Sequence, residues 1–241
     1  MGTLTRWLII INVAVFLLLF SMPQEMMEDA FALLDFSGGS MLEIWRWFTS
    51  LFLHASASHL FFNMIALYFF GKVVEEELKA RRFLAIYFIS GLVGNLAYGL
   101  TSAEPAVGAS GCIFGVMGAA MLVKPKEMIR LYFIPLPLGL IAILYILTQA
   151  ALAVIPLSET GIAYMAHIGG LLAGSAMAFY FEPRNAVKGV AFMIVLLALL
   201  VVLWPLIGFV VTVGQAVLSV IDFVIGLVLY GVSKLLLSWV W

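Results

Sequence analysis

Residues 105–123 read PAVGASGCIFGVMGAAMLV and are followed at once by Lys124. The apolar run from Gly111 to that lysine is about 13 residues, roughly 20 Å of helix, against about 30 Å of hydrocarbon in a bilayer. If the run is a membrane span, its N-terminus must begin below the membrane surface. Ser110 then lies within the membrane, reached by the re-entrant stretch Pro105-Ala106-Val107-Gly108-Ala109. Non-helical backbone at that depth is tolerated only where it lines a protein-enclosed or watery cavity, so a water-accessible pocket is expected around Ser110.

Composition says that it is a span. Of 241 residues, 65% are apolar and 10% charged, with a mean hydropathy of +1.17, whereas a soluble domain is about half apolar and about a quarter charged. The 12 basic and 13 acidic residues cannot cover a soluble globule of this size, and lipid needs no such cover. The net charge of −1 offers no basic excess for nucleic acid. A single cysteine, Cys112, excludes an intrachain disulfide and a cysteine-rich metal site. The fold class is therefore all-α, a polytopic membrane helix bundle.

Charged clusters cut the chain into apolar segments near 7–22, 57–71, 83–102, 111–123, 131–155, 162–181, 187–211 and 216–241. Residues 1–183 form a six-span core, and 184–241 a hydrophobic extension of one or two further transmembrane helices. The first run is read as an uncleaved span, because the small-x-small site Ala30-Phe31-Ala32 lies too far beyond it for a signal peptide. Cytoplasmic loops hold the excess of Lys and Arg. With the N-terminus inside, the cytoplasmic side receives Arg6, Lys72, Lys79, Arg81, Arg82, Lys124, Lys126, Arg130, Arg184 and Lys188, and the opposite side Arg46. The long connection 23–56, with its run Trp45-Arg46-Trp47-Phe48, reads as an interfacial insertion on the outer face.

Polar side chains inside spans are costly and mark function by default. His59 and Asn63 open span two, Ser110 opens span four, and His167 lies near the start of span six. Those three spans all run from outside to inside, so the four residues fall at comparable depth in the outer part of the membrane. Small residues at Gly111, Gly115 and Gly118 on span four, and at Ala166, Gly170 and Gly174 on span six, permit close helix approach. Ser110 and His167 can then come within hydrogen-bond reach as a nucleophile–base pair. No Asp or Glu lies near that depth in spans two to six, which favours a Ser–His dyad over a triad. His59 and Asn63, one turn apart on one face, would supply oxyanion donors together with the Ser110 amide at a helix N-terminus. His54 reads as a structural residue at the interface.

On these residues the sequence resembles the rhomboid family of intramembrane serine proteases. The matching motifs are Trp45-Arg46, His59-x-x-x-Asn63, Gly108-x-Ser110-Gly111, and Ala166-His167-x-x-Gly170-x-x-x-Gly174, in the family's order, with the likeness covering about residues 5–183. The resemblance implies Ser110 as nucleophile, His167 as general base, and His59 and Asn63 as oxyanion side chains. Glu43, Trp45 and Arg46 would be the structural motif of the first loop, and Glu75 a helix-end structural acid. It implies cleavage of transmembrane protein substrates near the outer face of the bilayer, with no cofactor or metal. Span five and the loop around Pro156 to Gly161 would be the gate and cap.

Phe114 stands where many relatives place a tyrosine one turn below the serine; stacking on His167 should survive and the hydroxyl is lost. A non-catalytic rhomboid-like protein that binds transmembrane clients is the rival reading, and its usual mark, loss of the Ser or the His, is missing. A metal carrier using His54, His59 and His167 would have a poor ligand set. Asp222 and Lys234 are the charges of the last apolar stretch, and Asp222 is the one acid that could challenge the dyad.

Overall fold

Between the second and third expected spans the helix is kinked at a single residue, Lys79. The computed structural model describes residues 2–131, 134–154 and 163–237, and it divides into two units, Met1–Ile194 and Val195–Trp241. In the first unit, α1 (Thr3–Phe20) is followed in the long connection by α2 (Gln24–Leu34) and the short α3 (Arg46–Thr49). Helix α4 (Ala57–Ala66) runs on through a π turn, Leu67–Gly71, into α5 (Lys72–Gly99). Then come α6 (Ser110–Val123), α7 (Leu138–Val154) and α8 (Tyr164–Phe181), and α9 starts at Pro183.

Lys79 interrupts α5 with φ 70° and ψ 164°, a region that only glycine enters readily. The arms on either side of it, 57–78 and 80–99, correspond to the second and third expected spans. At one end of the bundle Lys124 pairs with Glu77 at 3.1 Å and Arg82 with Glu182 at 3.2 Å. At the other end Asn95 Nδ2 donates to the Trp47 carbonyl and to Ser50 Oγ. A side chain at Lys79 strains the backbone and touches little, since it is exposed and donates only to the Glu76 carbonyl. Lys79→Gly should therefore raise stability, by about 1 kcal/mol. A lower melting temperature for that variant in detergent would show that the turn is not strained.

Helix α6 is buried at every position from Gly111 to Ala120, as its unbroken apolar sequence requires. It lies between α5 and α8, and glycine sets the spacing. A Cβ on Gly170 or Gly174 would collide with the carbonyls of Gly111 or Gly115, and one on Gly115 with the Ser90 side chain. The expected small-residue faces therefore do meet. Glu75 ties α1 to this core: its carboxylate accepts from the Leu4 and Thr5 amides at 2.8 Å each and from Thr5 Oγ1 at 2.7 Å. It thus satisfies amide donors that a helix N-terminus leaves open.

The long connection is organised by Arg46. Its Nε donates to Glu43 at 2.7 Å, and its Nη1 to Asp35 Oδ1 at 2.9 Å and to the Ala32 carbonyl at 2.7 Å. Trp45 Nε1 donates to the Leu33 carbonyl. Phe36, fully buried, exchanges backbone hydrogen bonds with Ala106 and meets the Trp47 ring edge-on. Gly108 N–H donates to the Ser50 carbonyl at 2.9 Å, so this connection holds the lead-in to α6 from both sides. Leu42 and Ile44 project outward, 95% and 71% exposed.

Burial holds the Asp35 carboxyl above its ordinary value, and Arg46 offsets only part of that rise. Arg46→Ala should cost about 2–4 kcal/mol, since it strips partners from Glu43, Asp35 and a carbonyl at once. Asp35→Asn should cost much less, because desolvation already offsets its charge. Equal losses of melting temperature for the two variants would contradict this ranking.

One expectation needs correction. Span five was expected to begin at residue 131; instead Met128–Leu131 and Ile134–Pro137 form an antiparallel hairpin, β1 and β2, and the helix begins at Leu138. The reason is Pro135 and Pro137, which lack amide donors; two residues apart, they turn the same way and fit the free edge of a strand. The C-terminal stretch, expected to hold one or two further helices, forms α9 (Pro183–Leu237), which contains Pro205. In the first unit its opening turns pack on α6, where Gly189 lies against the Leu122 backbone. The side chains of Asp222 and Lys234, and the segment Pro156 to Gly161, lie outside the described residues.

Candidate active site

The approach to Ser110 depends on Gly108. Its φ of +129° suits glycine alone, and a Cβ there would lie 2.8 Å from the His59 ring and 3.7 Å from Asn63 Nδ2. The backbone two residues ahead of Ser110 therefore passes directly beside both side chains. They come from α4, whose N-cap Ser56 accepts from the His59 amide at 3.1 Å, a local signal that starts the helix just before them. His59 is half-buried, and Asn63 is 4% exposed. His54, expected as a structural residue at the interface, is wholly enclosed, with its ring edge-on to His59 at 5.1 Å.

Ser110 is the first residue of α6, so its own amide is among the unpaired donors of a helix N-terminus. Its Oγ lies 2.9 Å from His167 Nε2. With the imidazole proton on Nδ1, the hydroxyl donates to Nε2; that tautomer is an assignment of chemistry, since hydrogen positions follow from the network. His167 is on α8, held close by the glycine contacts just below it. The Phe114 ring stacks on the imidazole at 4.2 Å with planes 11° apart, as expected for a residue one turn below the serine. Tyr164 meets the imidazole edge-on at 6.4 Å, and Tyr145 of α7 packs on Phe114 at 5.3 Å.

Two buried atoms at the site lack hydrogen-bond partners among the described residues: His167 Nδ1 and Asn63 Nδ2. The first means that aromatic packing, rather than a bonded carboxylate, orients this imidazole in the described structure. The second is an amide donor held without an acceptor close to the serine, which suits a group that must bind a charge appearing only during reaction. No cluster of metal-ligating side chains occurs among the described residues. A cavity of about 110 Å³ opens beside the Ser110–His167 pair, walled by Phe114, Ile146, Gln149, Tyr164, His167, Ile168 and Leu171. Tyr145 and Gln149 were not singled out from sequence, although their spacing of four places them on one face of a helix.

Comparison with known proteins bears on the same stretch of chain. A family profile described as the Rhomboid domain matches residues 41–184. The chain belongs to the rhomboid family. The match runs from the Glu43-Trp45-Arg46 motif to the end of α8 and so includes every site residue described above. The rhomboid protease GlpG of Pectobacterium atrosepticum is 31% identical over 180 residues, covering 74% of this rhomboid and 63% of the relative. The rhomboid protease GluP of Bacillus subtilis is 36% identical over 132 residues, 55% of this chain and 25% of the relative. RHOMBOID-like protein 1 of Arabidopsis thaliana is 34% identical over 159 residues, 62% of this chain and 40% of that protein. This rhomboid thus spans less than two thirds of the length of these relatives. Its family and its apolar helices make it an integral, multi-pass membrane protein.

Proposed function

We propose that this rhomboid is an intramembrane serine endopeptidase that cuts transmembrane protein substrates near the outer membrane face with a Ser110–His167 dyad. The observation that carries this reading is the 2.9 Å approach of Ser110 Oγ to His167 Nε2, across two helices that glycine lets touch. Ser110 Oγ attacks the carbonyl carbon of the scissile bond as its proton passes to Nε2. The carbonyl oxygen, now an oxyanion, takes hydrogen bonds from the Ser110 amide, Asn63 Nδ2 and His59. Collapse of the tetrahedral species breaks the C–N bond, and the imidazolium gives its proton to the leaving amine. Water, deprotonated by the same imidazole, then releases the acyl group from Ser110.

A peptide bond inside a stable helix is shielded, so a substrate must unwind locally before Ser110 reaches it, and helix-breaking or small residues near the cut favour that. The distribution of Lys and Arg supports a cytoplasmic N-terminus and a dyad toward the extracytoplasmic side. A fluorophosphonate probe tests the reading: wild type should label and Ser110→Ala should not. Absence of labelling in folded wild type would favour a client-binding protein without catalysis.

A further inference from the structure

Tyr164, His167, Ile168 and Leu171 fall at i, i+3, i+4 and i+7, so a single stripe of α8 forms one wall of the cavity beside the dyad. Phe114 of α6 and Ile146 of α7 close the other sides. Into this mostly apolar space α7 brings Gln149, whose amide oxygen is buried without a hydrogen-bond partner among the described residues. A leucine or methionine would fill the position without that desolvation cost. The unmatched oxygen is therefore best understood as matched by something that enters the cavity.

Resting on the dyad reading above, we propose that the cavity receives the side chain of a substrate residue C-terminal to the scissile bond, and that Gln149 selects a hydroxyl there, threonine over valine. The side of the bond follows from the base. His167 must hand its proton to the leaving amine, so the residues carrying that amine pass His167, whose ring is itself part of the cavity wall. The hydroxyl follows from the amide. Which end of a glutamine is oxygen and which nitrogen depends on its surroundings, and a hydroxyl satisfies either, because it both donates and accepts. The methyl of threonine meets Ile146, Ile168 and Leu171, while a charged side chain would be stranded among them.

Full-length protein in proteoliposomes decides this with paired transmembrane reporters, identical except for threonine or valine at one position after the cleavage site, each position in turn. At one position wild type should cleave the threonine reporter about tenfold faster in kcat/KM, the cost of leaving the amide unmatched by valine. Gln149→Leu and Gln149→Met, checked by thermal unfolding, should abolish or reverse that preference. A preference that is absent at every position, or that persists unchanged in both folded variants, overturns the assignment of Gln149 alone. A wild type that neither labels at Ser110 nor cleaves any reporter overturns the enzymatic reading, and this selectivity with it.

Discussion

Ser110→Ala and His167→Ala should each reduce cleavage of a transmembrane reporter by on the order of 10⁴-fold or more, because nucleophile and base act as a unit and losing either removes the covalent route. The double variant should be no slower than the singles. Neither change should unfold the protein. Ser110 opens a helix whose remaining length is buried against α5 and α8 by contacts that do not involve its hydroxyl, and His167→Ala removes a ring from beside a cavity that already exists. Melting temperatures should accordingly move little next to the loss of rate. Substantial cleavage by purified Ser110→Ala would remove the serine from the mechanism; substantial cleavage by His167→Ala would call for another base. Asp222→Asn is the control for a hidden third member: it should stay active, since His167 is packed by Phe114 and Tyr164 and the dyad asks for no acid.

The candidate site was legible from sequence because lipid makes polarity expensive. In a soluble protein a serine among glycines and a histidine on an apolar face carry little information; inside a span each is a cost that something must offset, and His59, Asn63, Ser110 and His167 stand out for that reason. Their meeting was legible too, since Gly111, Gly115, Gly170 and Gly174 leave no side chain to keep the helices apart. The hairpin at Met128–Leu131 and Ile134–Pro137 was hidden by its composition: hydropathy counts Ile134, Leu136 and their neighbours as membrane residues, and only the missing donors of Pro135 and Pro137 argue otherwise. The enclosure of His54 depended on tertiary contact with His59 that no local pattern encodes. Gln149 escaped attention because one amide in an apolar helix resembles ordinary interhelical hydrogen bonding, and its oxygen's lack of a partner among the described residues is visible only once the neighbours are placed.

Asn63→Ala should lower kcat by ~10²–10³-fold with little change in KM, the loss typical of one oxyanion donor. The expected effect on stability is what separates this role from a structural one. A buried asparagine that holds helices together gives up its hydrogen bonds when it is truncated, and the protein melts earlier. Asn63 Nδ2 has no acceptor among the described residues, so in the resting protein there is no such bond at that atom to lose. Removing a buried donor without a partner relieves a desolvation cost, and the variant should melt at or slightly above the wild-type temperature. Asn63→Asp sharpens the test, since it keeps the shape but turns an acceptor toward the place where negative charge develops; it should be slower still. His59→Ala is the less clean partner experiment. Its ring lies against Gly108 and packs on His54, so truncation opens a hole beside the lead-in to Ser110, and rate and melting temperature should fall together. Wild-type kcat in Asn63→Ala would refute the oxyanion role, while a large drop in its melting temperature with kcat preserved would make Asn63 a structural residue instead.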